Sequence, residues 1–209
     1  YEMSISIDPN YAQAHNNLGN VLKDSGRLKE AEISFQKALS INTNYVEAYY
    51  SLGIVLFDLG KFEESKMSYL KAIEINYNFA EAHNNLGNTY SELGEANHAI
   101  DSYQNAIEIN PNFAEAYNNL GNSLKEIGKL GDAIKAYQKA TTILPNYPTI
   151  YNNLGNAFKQ MNNFNEAFIS YTKGLKLINP ESLDSLELLN NLGVVLNDLE
   201  KPDLAIKNL

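Results

Sequence analysis

Asparagine recurs in this chain at repeated positions: Asn16-Asn17 with Asn20, Asn84-Asn85 with Asn88, Asn118-Asn119 with Asn122, Asn152-Asn153 with Asn156, and Asn190-Asn191. A primary amide offers both donor and acceptor, so a row of them can pair with peptide N–H and C=O groups without reading a side chain. The groups that do covalent chemistry are not arranged in this way. His15 and His83 stand where Tyr49, Tyr117 and Tyr151 stand in other copies, which makes them packing residues, and His98 is alone. No carboxylates pair beyond what the recurring positions explain. The glycines recur singly, as punctuation, with no phosphate-cradling cluster. The chain has no cysteine, which excludes disulfides and Cys-ligated metals. These residues point to binding, and neither an enzyme activity nor a cofactor or metal is expected.

The asparagines keep their spacing because a longer unit repeats. Leu-Gly recurs at Leu18-Gly19, Leu52-Gly53, Leu86-Gly87, Leu120-Gly121, Leu154-Gly155 and Leu192-Gly193. The intervals 52−18, 86−52, 120−86 and 154−120 are each 34, and 192−154 is 38. A fixed period in this range marks a stacked-repeat architecture. In the unit 80–113, Ala82, His83, Leu86, Gly87 and Tyr90 recur at helical steps, and Ala99, Tyr103, Ala106 and Ile107 do the same after Gly94. Gly26, Gly60, Gly94 and Gly128 can each end a first helix in the left-handed conformation, as Asn162 can, whereas Glu200 departs from the pattern. Pro9, Pro111 and Pro145 punctuate the second helices. Asn10, Asn44, Asn78, Asn112 and Asn146 are expected N-caps, and Gln13, Glu47, Glu81 and Glu115 would complete Asn-led capping boxes. Small residues such as Gly19 and Ala31 are expected where helices approach closely.

Each unit is thus a helix–turn–helix hairpin that buries its apolar stripe only by stacking. The expected divisions are a half-repeat 1–11, complete repeats 12–45, 46–79, 80–113, 114–147 and 148–185, and a truncated repeat 186–209. The four extra residues fall around 178–185. They lengthen the next first helix by a turn, with Asn179-Pro180 as its start, or form a longer loop with Asp184 as N-cap. Tyr1 and Leu209 fall at the repeat position of Phe35 and Tyr69, so the sequence reads as a fragment of something longer.

His83, Leu86-Gly87, Tyr90, Gly94, Ala99, Tyr103, Ala106 and Pro111 together resemble the tetratricopeptide repeat family. The resemblance covers the whole chain and implies an all-α, right-handed α-solenoid that serves as a protein-interaction module. The run Ala114–Gly128 looks most like the repeats that precede the catalytic region of O-linked N-acetylglucosamine transferases and their relatives. In that family an asparagine ladder inside the superhelix grips extended polypeptide. The matching residues would be Asn17, Asn85, Asn119, Asn153 and Asn191. No catalytic region is present, although the chain read as the substrate-selecting arm of a glycosyltransferase is the rival account.

The resemblance places the first helix of each hairpin on the concave face. Helix layers lie about 10 Å apart and an extended peptide rises about 3.3 Å per residue, so one amide would meet a ligand about every third residue. Two accounts of these amides stand level: ligand contacts, or stacking residues bonded across repeats or to water. Both apply to Asn17, Asn85, Asn119, Asn153 and Asn191, and to Asn20, Asn88, Asn122 and Asn156. Asn16, Asn84, Asn118, Asn152 and Asn190 stand where the family consensus has an aromatic, which favours a wet groove. Tyr50, Ser51, Ile54 and Phe57 break the pattern with an apolar island, read either as an anchor for a hydrophobic ligand side chain or as local repacking. Asp24, Asp58, Glu92, Glu126 and Asp198 share one phase and either line the groove for a basic partner or form a solvated face. The clamp that grips a C-terminal carboxylate in some relatives needs Lys or Arg where this chain has Asn16, Asn85 and Asn119.

The net charge of −9 and pI near 4.8 argue against nucleic acid and anionic membrane as partners. They also argue, with the uniform period, against the RNA-binding pentatricopeptide hairpin. No apolar run approaches the roughly 18 residues of a membrane span. The expected partner is therefore another protein or an extended, basic peptide. A cytoplasmic setting and self-association through uncapped terminal half-repeats are further expectations.

Overall fold

The computed structural model describes residues 1–178 and 183–199. Among them all regular structure is helical: α1 (Glu2–Ile7), α2 (Ala12–Asp24), α3 (Leu28–Ile41), α4 (Val46–Asp58), α5 (Phe62–Ile75), α6 (Ala80–Glu92), α7 (Ala96–Ile109), α8 (Ala114–Glu126), α9 (Leu130–Ile143), α10 (Pro148–Gln160), α11 (Phe164–Leu175) and α12 (Leu183–Asp198). Two compact units divide the chain, Tyr1–Asn110 and Pro111–Leu209. In the first, α2 pairs with α3, α4 with α5 and α6 with α7, and each hairpin packs on the next. In the second, α8 pairs with α9 and α10 with α11, and α12 packs on α11. The expected all-α fold of stacked hairpins is the fold observed.

The turn within each hairpin follows from one backbone feature. Gly26, Gly60, Gly94 and Gly128 adopt φ of 74°, 72°, 73° and 79°, and Asn162 does the same job at 57°. The next residue then donates its N–H back five residues, Arg27 to the Leu22 carbonyl at 2.8 Å and Lys129 to the Leu124 carbonyl at 2.9 Å. This is the six-to-one bond of a Schellman motif, which satisfies carbonyls that a helix end leaves bare.

Close approach of the paired helices follows from the glycine of each Leu-Gly. A Cβ built on Gly19 would stand 2.7 Å from the Phe35 ring, and one on Gly121 or Gly155 would stand 2.5 Å from Tyr137 or Tyr171. Those rings are fully buried. Glycine here is therefore a packing requirement, and the aromatic side chain fills the space it leaves. Leu22, Phe35, Leu52, Val55 and Leu56 extend this core in the first unit, and Tyr171, Leu188, Leu192, Val195 and Leu196 do so in the second.

The N-caps correct the sequence reading. Helices α2, α4, α6, α8 and α10 take Tyr11, Tyr45, Phe79, Phe113 and Tyr147 as N-caps, and no side-chain cap bond is made there. Asn10, Asn44, Asn78, Asn112 and Asn146 stand one residue too early, so the Asn-led capping boxes are not what fixes these ends. The preceding loop uses its polar residues differently: Asn10 N–H donates to Asp8 Oδ1 at 3.0 Å, and Asn44 N–H to Asn42 Oδ1 at 3.1 Å. These Asx turns leave the aromatic residue at the cap, where its ring can pack, as Phe79 does 4.6 Å from Tyr50.

Helix α12 has 16 residues against 13 for α2, α4, α6, α8 and α10. Asp184 falls inside it, and Asn179-Pro180 lies outside the described residues.

Candidate functional site

Helices α2 and α6 in one unit, and α8, α10 and α12 in the other, carry the recurring asparagines on a shared phase, which α4 lacks. Their amides form two tiers. In the first tier, the asparagine before Leu-Gly donates to the preceding repeat. Asn153 Nδ2 donates to Asn118 Oδ1 at 3.0 Å, Asn191 Nδ2 to Asn152 Oδ1 at 3.0 Å, and Asn85 Nδ2 to the Tyr50 hydroxyl at 3.2 Å. Within a helix, Asn84 and Asn118 also donate to the Oδ1 of Asn85 and Asn119, both at 3.4 Å. Asn152 Nδ2 reaches Glu187 at 2.7 Å. The bonds from one first helix to the next join hairpins, and Asn16, Asn84 and Asn152 are buried where the sequence suggested a wet surface.

The first tier breaks once. The residue that stands to Asn16 as Asn153 stands to Asn118 is Ser51, whose side chain is shorter and is itself buried. Asn16 Oδ1 is left buried with no hydrogen-bond partner. The Asn16 side chain borders an open cavity of about 690 Å³ whose lining includes Tyr11, Asn17, Asn20, Tyr45 and Glu47, while the oxygen itself is shielded from solvent. A buried acceptor without a donor costs about 1–3 kcal/mol.

In the second tier, the asparagine after Leu-Gly accepts from the ring that packs on the glycine. Tyr103, Tyr137 and Tyr171 donate their hydroxyls to Oδ1 of Asn88, Asn122 and Asn156, each at 2.8 Å. The bond fixes which amide atom faces the partner helix. For Asn122 and Asn156, Oδ1 is committed to the core and no described residue accepts from Nδ2. Burial pushes the hydroxyls of Tyr137 and Tyr171 well above the usual phenol range, so both remain donors.

The second tier is also interrupted in α4. Ile54 replaces the asparagine, and the Tyr69 hydroxyl has no such acceptor on its own hairpin. A cleft of about 180 Å³ opens there, lined by Ile54, Phe57, Asp58, Tyr69, Asn85 and Asn88. Phe57 is half-buried and braced edge-on by Phe62 at 5.3 Å. Burial, then the Tyr50 hydroxyl, pushes Tyr69 far above its ordinary value; Asn85 offsets this and Asp58 adds to it. Tyr50 does not line the cleft. It packs against Phe79 and Tyr69 and accepts from Asn85.

Models described as TPR repeat match residues 19–60, 55–94, 87–128 and 121–162, and two described as Tetratricopeptide repeat match 1–33 and 148–180. The chain belongs to the tetratricopeptide repeat (TPR) family. No curated protein matches it. Among solved structures, a crystal structure of MamA is 30% identical over 76% of this chain and 93% of MamA, with a TM-score of 0.73. YrrB, described as a TPR protein with an unusual peptide-binding site, is 24% identical over 88% of this chain and 95% of its own, with a TM-score of 0.72. Pseudomonas aeruginosa pilF shares the fold at 18% identity, covering 94% of this chain and 88% of pilF, with a TM-score of 0.80. As a TPR chain, the protein is a protein-interaction scaffold.

The histidines serve the TPR hairpins. His15 and His83 donate from Nε2 to the carbonyls of Pro9 and Tyr77 at 3.0 Å, six residues back, as the Tyr151 hydroxyl donates to Pro145 at 3.0 Å. Burial lowers the His83 pKa, and its carbonyl bond only partly opposes this. Asp24, Asp58, Glu92, Glu126 and Asp198 are all exposed. Asp24 pairs with Lys23 at 3.7 Å, and no ion pair forms at Asp58 or Glu92 among the described residues. No described helix is long and apolar enough to cross a membrane. Two features escaped the sequence reading. The orphaned Asn16 oxygen and the place of Tyr69 beside Ile54 and Phe57 follow from substitutions at recurring positions, Ser51 and Ile54, whereas Asp58 and Asn88, both named from the sequence, line the same cleft. Both substitutions are visible in the sequence once the bonding of the other copies is known.

Proposed function

We propose that this TPR chain binds an extended segment of another protein along the first helices within a unit, holding the segment's backbone with amides set by the fold. The carrying observation is that tyrosine hydroxyls fix the Asn122 and Asn156 oxygens, so their Nδ2 groups are pre-oriented donors for ligand carbonyls. Asn85, Asn153 and Asn191 are the stacking tier, and their contribution to binding is to hold the helices in register. Each backbone bond supplies about 0.5–1.5 kcal/mol net, so the grip is modest and tolerant of sequence. YrrB shows that the fold accommodates a peptide site.

The test is to pan a display library of random dodecapeptides against the 209-residue chain and map the winners by amide NMR. Shifts centred on Asn122 and Asn156, with binding weakened several-fold in Asn122→Ala and Asn156→Ala, support the reading. Shifts confined to α3, α5, α7, α9 and α11, or enrichment of no peptide, would remove it.

A further inference from the structure

The break in α4 does more than interrupt a pattern; it builds a site with its own chemistry. At about 180 Å³ the cleft is smaller than the roughly 300–1,000 Å³ of small-molecule pockets and has room for a single side chain. One part is apolar, the half-buried Ile54 and the braced ring of Phe57. The other is made of oxygen-bearing groups: the Asp58 carboxylate, the Tyr69 hydroxyl and the amides of Asn85 and Asn88.

Charge decides among possible occupants. The two nearest basic residues in sequence are already committed, Lys61 to Glu32 at 2.8 Å and Lys66 to Glu63 and Glu95 at 2.6 and 3.4 Å. Asp58 is thus an unneutralised anion at the mouth of the cleft, on a chain of net charge −9. A purely apolar side chain would cover that carboxylate without pairing it, which is costly. An acidic one would be repelled. A long cationic side chain meets both halves: its methylenes lie on Ile54, and its charge reaches Asp58. A guanidinium gains further, because it can stack on Phe57 and bond the carboxylate through two N–H groups.

We propose that this cleft is a specificity pocket for one basic side chain, arginine ahead of lysine, of an extended segment bound along α4 and α6 in the first unit. The inference rests on the groove reading above and replaces the hydrophobic anchor expected for Ile54 and Phe57. Tyr50 is excluded from it, since its ring and hydroxyl are used in packing.

The experiment uses the dodecapeptides selected on the intact chain. A winning peptide is resynthesised with its basic residue changed to norleucine or to glutamate, and affinities are measured by calorimetry for the wild type and for Asp58→Asn. The norleucine peptide is expected to bind about threefold to fivefold more weakly, the worth of one ion pair at an exposed carboxylate. Asp58→Asn should weaken the arginine peptide and, because no bare carboxylate is then covered, leave the norleucine peptide unchanged or slightly tighter, so that the difference between the two peptides closes. Because Asp58 is exposed, the variant is expected to keep its fold, which circular dichroism checks. Phe57→Leu is the second probe, predicted to narrow the arginine–lysine difference without abolishing binding.

Winning peptides with no fixed basic residue, or a norleucine penalty that persists in full in Asp58→Asn, would overturn the pocket and leave the groove reading standing. Enrichment of no peptide, or shifts confined to the second helices, would overturn the groove reading and this inference with it.

Discussion

The hairpin α10–α11 and the hairpin α4–α5 are built on one plan and differ in what they do with the same buried tyrosine. In α10–α11 the Tyr171 ring fills the space over Gly155, and its hydroxyl is spent on Asn156 at 2.8 Å. In α4–α5 the Tyr69 ring fills the space over Gly53 in the same way, but Ile54 takes the acceptor's place and a cleft opens beside it. The glycine–ring contact is thus common to both hairpins, and the hydroxyl's partner is the variable that leaves a surface regular or opens a cleft in it.

The largest expected effect tests the common contact. Gly121→Ala pushes a methyl into a fully enclosed Tyr137 ring and should destabilise the chain by about 1–3 kcal/mol in urea unfolding. Gly53→Ala makes the same clash, but Tyr69 borders the cleft and can yield, so its cost should be smaller. Equal costs would mean that the cleft gives the ring no freedom, and the comparison would fail.

Next comes the hydroxyl itself. Tyr137→Phe strands the Asn122 oxygen and should cost about 1 kcal/mol. Tyr69→Phe removes no second-tier bond and should cost less by the same measurement.

A smaller change converts one hairpin into the other. Ile54→Asn supplies Tyr69 with the missing acceptor, trading some apolar burial for one hydrogen bond. Net stability should move by less than about 1 kcal/mol. The readout is the Tyr69 hydroxyl proton, which should become slow to exchange in NMR, together with loss of the arginine preference. A proton that still exchanges fast would show that Tyr69 is held elsewhere.

The smallest effect concerns pH. The His83 pKa is depressed from the ordinary 6.5 by burial, so the unfolded chain binds a proton that the folded chain resists. The stabilising contribution of neutral His83 is complete above about 6.5 and is lost as the pH falls from there toward the lowered folded value. His83→Tyr, which copies Tyr151, should flatten the acid side of the stability profile over that window. An unchanged profile would remove His83 as the cause.

How much of this was readable in advance depended on whether a feature is local. The turn glycines were readable, because a left-handed residue after a helix is a demand of the backbone itself. The N-caps were misread by one residue. Several nearby residue types suit the cap, and the choice among them is made by rings such as Phe79 packing on a neighbouring hairpin. Which asparagines stack and which remain available could not be read from position alone, because Asn153 and Asn156 are the same chemical group three residues apart.

By itself, the sequence determined the repeat, the hairpin and the close crossing at each Leu-Gly. All three depend on the spacing of apolar and small residues along one chain, which local geometry enforces. Only the tertiary structure decided the fate of each amide. A hydrogen bond is settled by what stands opposite, and what stands opposite Asn16, Asn85 or Tyr69 comes from another helix. Ser51 leaves an oxygen bare, and Ile54 leaves a hydroxyl to turn toward Asn85. In a chain of near-identical repeats, these two exceptions are where the bonding between helices departs from its pattern.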